Sequence, residues 1–366
     1  MARPRVGIVG AGQLGRMLAL AGYPLGIECT LLDTAPASPG GQVADTVLGE
    51  LGDPTALATL ADRADVVTLE IENVAVSALQ ALQDRVAVLP PPAAVAAAQD
   101  RLAEKTLFRS LGIPTAEFVT IDSAADAAAA EKLGWPAILK TRRMGYDGRG
   151  QRVVNSTAAL AAAWRELGSV PSIAEAFVSF DREVSLIGAQ GARDERVFYS
   201  LTENVHRNGI LASSIAPYED RALQRQAESW LAAIMATLQY RGVLTVEFFQ
   251  TKRGLVANEM APRVHNSGHW TIEGAVTSQF ENHLRAVLGW PLGDASPRGH
   301  AAMLNLLGRL PPRDTVLGMA GAYLHDYGKS PRPGRKVGHC TLVDAQRARL
   351  LERLEPLRAL VDRSNE

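Results

Sequence analysis

The chain has 366 residues, 47% hydrophobic and 21% charged, with a formal net charge of −1. That length predicts two or three domains, and the near-neutral charge argues against nonspecific binding to nucleic acid or an anionic membrane. Cys29 and Cys340 fit no zinc spacing and read as packed hydrophobes in a reducing cytoplasm, and no secretory leader or apolar run of about 18 residues is read.

In chain order, Val6 to Val9 reads as a strand, followed by Gly10-Ala11-Gly12-Gln13-Leu14-Gly15 and a helix to about Ala21. A second strand, Glu28 to Leu32, is closed by Asp33. Glycines at a strand-to-helix turn leave helix N–H groups facing outward, as in the dinucleotide fingerprint with its acidic residue for a ribose hydroxyl. The same turn holds any phosphate, a sugar phosphate included, so NAD and a phosphorylated substrate both remain open on these residues. The βαβ pattern continues with a helix over Pro54–Ala61 and a strand over Asp65–Leu69. Glu70-Ile71-Glu72-Asn73 then follow a strand's carboxyl end, where α/β sheets place ligands.

Asp100 caps a predicted helix, Arg101 to Leu111, which Gly112 and Pro114 stop. Arg101 and Lys105 lie one turn apart on it and read as a surface pair. The alanine-rich stretch Ala124–Ala130 is predicted helical. Ala137 to Leu139 reads as a buried strand that delivers Lys140 to a loop holding Gly145, Gly148 and Gly150 with Arg142, Arg143 and Arg149. Gln151 to Val154 is the returning strand. Glycines let several N–H groups converge and the cations deepen the concavity, which makes an anion site; with little to bury it, the loop is expected to move. No Gly-Lys-Ser/Thr closes it and no helix follows, which excludes a Walker A loop and a Rossmann turn here.

A helix over Thr157–Leu167 and strands over Ile173–Phe177 and Arg182–Ala189 come next. The backbone from Glu175 through Ala176 and Phe177 to Val178 offers amide and carbonyl groups to an adenine, with Glu183 near its ribose. His206 ends the strand begun at Thr202, and Glu219–Gln239 reads as a long helix. Val243, Thr245, Glu247 and Phe249 then share one face of a strand. A turn at Thr251–Gly254 returns the chain along Leu255–Glu259. Symmetry about Arg253 sets Glu247 opposite Glu259, with Cβ atoms roughly 4.5–5.5 Å apart. Carboxylates that close need a cation, and hard oxygen ligands suit Mg²⁺ where phosphates complete its shell. Asn258 falls on the opposite face of an ideal strand, so a role for it requires a bulge. Arg263, His265, Asn266, Ser267 and His269 follow as a polar rim. Near the end, strands over Ala320–Tyr327 and Val337–Val343 flank a loop with Lys329, Arg332, Arg335 and Lys336, stiffened by two prolines into a phosphate clamp. A helix over Asp344–Leu360 closes the pattern.

Together these motifs resemble the ATP-grasp superfamily along nearly the whole chain. Within it, Gly10–Met17, Glu70–Val74, Gly145–Gln151, Asn258–Arg263, His265–Trp270 and the loop around Lys329 look like those of the N5-carboxyaminoimidazole ribonucleotide synthetase family. The resemblance implies an α/β chain, α+β overall, of ATP-grasp architecture. Its parts would be a Rossmann-like first domain (1–98), a central lid domain (99–178) and a C-terminal ATP-grasp domain (179–366). It implies an ATP-dependent ligase of purine biosynthesis that carboxylates 5-aminoimidazole ribonucleotide with bicarbonate, cytoplasmic and homodimeric.

For ATP the resemblance suggests Arg101, Lys140, the lid residues Gly145, Tyr146, Asp147, Gly148, Arg149, Gly150 and Gln151, then Glu175–Val178, Glu183, His206, Asn258 and Glu259. Glu247 and Glu259 would hold Mg²⁺. Gln13, Leu14, Glu72, Asn266, Lys329, Arg335 and Lys336 would hold the ribonucleotide, and Tyr146, Arg149 and Lys140 would serve the chemistry. In this family the first glycine turn holds a sugar phosphate and not NAD. The rivals are a formate-dependent glycinamide ribonucleotide transformylase of the same architecture, an NAD-dependent dehydrogenase, and a nucleotide-binding regulator without turnover.

Overall fold

Parallel strands come first, in a computed structural model that describes residues 2–145 and 148–365, the side chain of Asn365 excepted. This unit runs β1 (Arg5–Val9), α1 (Gln13–Gly22), β2 (Glu28–Asp33), β3 (Asp45–Leu48), α2 (Pro54–Asp62), β4 (Val66–Leu69), α3 (Val76–Leu82), β5 (Ala87–Val88) and α4 (Pro92–Gln99). Its five strands are all parallel, in the order β3-β2-β1-β4-β5. The carboxyl ends of the neighbours β1 and β4 carry Gly10–Gly15 and Glu70–Glu72 side by side.

The second unit follows α5 (Arg101–Ser110), which is capped by the Asp100 carboxylate accepting from the Leu102 N–H. It contains β6 (Phe118–Ile121), β7 (Ala137–Thr141), β8 (Gln151–Val154), α6 (Thr157–Glu166) and β9 (Ser172–Ala176), an antiparallel sheet ordered β6-β9-β7-β8. The alanine-rich stretch is a 3₁₀ helix, Ala124–Leu133, with Ala127 and Ala130 buried at the three-residue spacing that such a helix eclipses. Val119, Ile121, Ala137, Leu139, Leu160 and Ala174 give this sheet its own core.

The third unit comprises β10 (Arg182–Gln190), β11 (Arg196–Phe198), β12 (Thr202–Arg207), β13 (Ile210–Ala216), α7 (Arg221–Thr237), β14 (Gly242–Thr251), β15 (Gly254–Ala261), α8 (Thr271–Gly274), α9 (Gln279–Leu288), β16 (His300–Gly308), α10 (Arg313–Leu317), β17 (Ala322–Asp326), β18 (Arg332–Asp344) and α11 (Arg347–Asn365). Its antiparallel strands run β15-β14-β10-β12-β13-β16-β18-β17, with β11 on β10. The chain is thus α/β in its first unit and α+β overall, as expected. Among the described residues no helix is long and apolar enough to cross a membrane.

The first and third units share one core. Val6, Ile8, Leu18 and Leu31 pack with Ile187, Tyr199, Trp270, Phe280 and Met303. The helix α9 joins them through one buried imidazole: His283 Nε2 meets Thr68 Oγ1 of β4 at 2.7 Å, and His283 Nδ1 accepts from the Val243 N–H of β14 at 3.1 Å. Phe108 of α5 packs with Leu231 and Ile234 of α7 and with Val184, Leu244 and Phe248, which fixes α5 beside the β14–β15 hairpin.

Candidate active site

Register places the chemistry on one sheet face. Ser185 of β10 opposes Glu247 of β14, and Glu247 opposes Glu259 of β15. The last pairing depends on a bulge: Phe248 pairs with Ala257, Glu247 with Glu259, and Asn258 is the extra residue. Outside contacts support that bulge, because the Ala257 N–H donates to Pro114 O at 2.7 Å and Thr115 Oγ1 donates to Ala257 O at 2.8 Å. Glu259 Oε2 lies 2.9 Å from Arg101 Nη1, and Glu247 Oε1 lies 3.1 Å from His265 Nε2. Burial opposes the Glu259 charge, but Arg101, Lys140 and His265 outweigh it and draw its pKa down to about 2. Among the described residues no group of three His, Cys, Asp or Glu side chains suits a metal ion. A carboxylate pair does suit an ion that phosphate oxygens complete, and the buried, unpartnered Asn258 Oδ1 is a further oxygen beside it.

Next to this pair is a cluster of charges. Glu175 Oε2 of β9 receives Lys140 Nζ of β7 at 2.9 Å and stands 3.4 Å from Lys105 Nζ of α5. Lys105 is 0% exposed, so the surface pair with Arg101 does not exist. Glu104 of α5 faces inward too: it accepts from the Met260 N–H, and burial and the neighbouring Glu259 push its pKa up to about 8. Burial lowers the Lys105 pKa against the pull of Glu175. Glu183 and His206 meet each other at 2.7 Å. Burial disfavours the His206 cation, but the hydrogen bond to Glu183 together with the charges of Glu247, Glu183 and Glu259 outweighs it and raises the His206 pKa. The Ala176 N–H is taken by Glu117 O at 2.8 Å, which withdraws it from an adenine and leaves the backbone of Phe177 and Val178.

The glycine hairpin closes as expected, with Lys140 opposite Gln151. Its cations divide. Arg142 and Arg143 both bind Asp100, at 2.7 and 3.2 Å, and are not available to deepen an anion site. Arg149 is exposed on the loop. Gly150 has φ +72°, and a Cβ there would stand 2.6 Å from Thr141 Oγ1. Gly148 approaches the β12–β13 turn, where a Cβ would lie 3.2 Å from Gly209 Cα, and Gly145 lies close to Arg101. Tyr146 and Asp147, both expected on the nucleotide side, lie outside the described residues.

On the other flank the two acidic residues of the Glu70 segment separate. Glu70 accepts from the Gly12 and Gly15 N–H groups and fills the fingerprint turn; a Cβ at Gly10 or Gly12 would meet its side chain at 2.5–2.6 Å. The helix N-terminus therefore holds a carboxyl group of its own chain where the sequence suggested a ligand phosphate, and burial raises the pKa of that carboxyl. Glu72 forms a two-pronged pair with Arg263, whose Nη2 is 2.9 Å from Oε1. Burial opposes the Glu72 charge and Arg263 more than restores it, so the carboxyl pKa falls. Lys329 Nζ donates to Gln13 Oε1, Leu14 is buried in the shared core, and Asn266 has both amide atoms buried without a partner. Burial, reinforced by Arg335 and Lys336, lowers the Lys329 pKa to about 8 despite Glu70. Arg335 is tied to Ser330 Oγ at 2.9 Å.

Three family descriptions match in order: the ribonucleotide synthetase preATP-grasp domain over residues 3–99, the ATP-grasp domain over 106–280, and the phosphoribosylaminoimidazole carboxylase C-terminal domain over 301–353. An N5-carboxyaminoimidazole ribonucleotide synthase from Pseudomonas aeruginosa is 48% identical, over 98% of this chain and 99% of its own. The chain belongs to the N5-carboxyaminoimidazole ribonucleotide synthase family. A family structure from Thermus thermophilus superposes with TM-score 0.93 at 51% identity, covering 97% of this chain and 98% of that one. Another, from Aspergillus clavatus in complex with ADP and 5-aminoimidazole ribonucleotide, gives TM-score 0.91 at 33% identity and covers 99% of each.

Of the described residues expected on ATP, Arg101 meets Glu259, Lys140 meets Glu175 and Glu183 meets His206. Gln13 and Lys329 meet on the flank formed by the first and third units. Lys105, Glu104 and Glu70 were not singled out as site residues; their only sequence signal was charge, on an amphipathic helix or after a strand.

Proposed function

We propose that this chain carboxylates the exocyclic amine of 5-aminoimidazole ribonucleotide, consuming ATP and bicarbonate, in de novo purine biosynthesis. The whole-length similarity to the structure complexed with ADP and that ribonucleotide carries the reading. Bicarbonate oxygen attacks the γ-phosphorus of ATP, ADP leaves, and carboxyphosphate forms. The ribonucleotide amine then takes the carboxyl group, losing a proton and expelling phosphate, to give the N-carboxylated product.

Arg101 and Lys140 would face the nucleotide phosphates, and the backbone of Phe177 and Val178 the adenine, with Glu183 and His206 close by. Mg²⁺ held by Glu247 and Glu259, with Asn258 adjacent, would neutralise charge on the transferring phosphoryl group. Tyr146 and Arg149 on the glycine loop are our choices for bicarbonate, and a covering loop would keep water from the short-lived carboxyphosphate. Glu72, Asn266, Lys329, Arg335 and Lys336 would orient the ribonucleotide, fixing its amine beside the carboxyl donor. The three units divide near residues 98 and 178, and we take the working form to be a homodimer, which sedimentation would check.

ADP release measured with 5-aminoimidazole ribonucleotide and bicarbonate tests the proposal. Stimulation by formate and glycinamide ribonucleotide instead would select the transformylase, and ATP binding without ADP release would select a regulator.

A further inference from the structure

One carboxylate serving two buried ammonium groups is the least explained feature of the nucleotide cleft. Lys140 and Lys105 approach the same oxygen of Glu175, at 2.9 and 3.4 Å. Lys140 makes the hydrogen bond, whereas Lys105 Nζ is buried with no hydrogen-bond partner, and so is Glu175 Oε1. Burying an ammonium without a hydrogen bond is costly, and an apolar side chain of similar length would avoid the cost. Nearby charges do not account for Lys105. Arg101 is committed to Glu259, and the Glu104 carboxyl accepts from the Met260 N–H.

We infer that Lys105 is a positioning residue, a standby partner for Glu175 that releases Lys140 to the nucleotide phosphates. With both lysines charged, the trio has a surplus of one positive charge. When Lys140 turns toward a phosphate, Lys105 closes on Glu175 and no buried carboxylate is left unpaired. Without Lys105, the surplus vanishes and Lys140 can leave only by stranding Glu175, which holds it in place. The inference rests on the assignment of Lys140 to ATP.

Steady-state kinetics on the full chain test it. Lys105→Met should raise the KM for ATP about tenfold or more, leaving kcat at saturating ATP and the ribonucleotide KM within about twofold. Adding Glu175→Gln restores the surplus charge, and Lys105→Met/Glu175→Gln should bring the ATP KM back within about threefold of the parent. An unchanged ATP KM in Lys105→Met, a parallel loss in all parameters, or a double variant no better than the single would overturn the inference. Should Lys105→Met not fold, the double variant decides alone: an ATP KM near the parent's supports it, and a tenfold rise overturns it. Lys140→Met separates the underlying assignment, because an unaltered ATP KM there would remove Lys140 from the nucleotide whatever Lys105 does.

Discussion

Glu247 stands opposite Glu259 because a bulge at Asn258 corrects a turn that is one residue shorter than symmetry about Arg253 requires. Thr251 pairs with Gly254, so the hairpin is centred between Lys252 and Arg253, and a regular ladder would set Asn258 against Glu247. The extra residue restores the two carboxylates to one face. It also frees Asn258 from strict alternation, which answers why that residue belongs with its neighbours.

Removing one charge of the pair should stop phosphoryl transfer. Glu259→Gln is expected to lower ADP formation by at least about a hundredfold, in line with loss of a charge-neutralising group. Asn258→Ala leaves both carboxylates and should only raise the Mg²⁺ concentration needed for half-maximal rate. ADP release retained by Glu259→Gln across a magnesium titration would count against the metal assignment.

Lys329 should govern the ribonucleotide and not the nucleotide. Lys329→Ala is expected to raise the ribonucleotide KM by about ten- to a hundredfold, the size of a lost charge-assisted contact, with the ATP KM unchanged. Its pKa is lowered to about 8 by burial, so the cation is present below that pH and is lost above it. The ribonucleotide KM should therefore climb between pH 7 and 9, and Lys329→Arg, which stays charged, should flatten the climb. Equal effects on both substrates would argue against the assignment.

Period-two alternation and glycine placement made much of this legible, and burial made the rest opaque. β14 could be read because Thr245, Glu247 and Phe249 recur on one face, and β1 because an apolar run ends in a glycine turn. β16 escaped because Ala301–Leu306 is buried throughout and shows no alternation, while β5 and β11 have only two and three residues. Lys105 was misjudged for a different reason: helical spacing defines a face but not what that face meets. The two roles of Glu70 and Glu72 were likewise unreadable, since the partner of Glu72 lies 191 residues away at Arg263.

Glu70 gives the dehydrogenase alternative a direct test. Its carboxylate occupies the N–H groups that a dinucleotide would need, and Gly12 leaves room for it. NADH fluorescence should not change on adding the protein. Gly12→Ala, whose Cβ would crowd Glu70 Oε1, should destabilise the fold by about 1–3 kcal/mol, measured by denaturant unfolding. Bound NADH, or no loss of stability, would show that the turn is more open than this packing implies.

His283 should make the joint between the first and third units sensitive to acid. Its Nδ1 already accepts from Val243, so protonation there would break that bond, and burial holds its pKa at about 4 against 6.5 for an ordinary imidazole. Between those values the unfolded chain binds a proton that the folded chain refuses, so stability falls as pH drops from 6.5 and the loss levels off below 4. That gap corresponds to about 3 kcal/mol. His283→Gln lacks the titration and, although less stable at neutral pH, should show a shallower decline in melting temperature from pH 6.5 to 4. Parallel declines in the two proteins would place the acid-sensitive contact elsewhere.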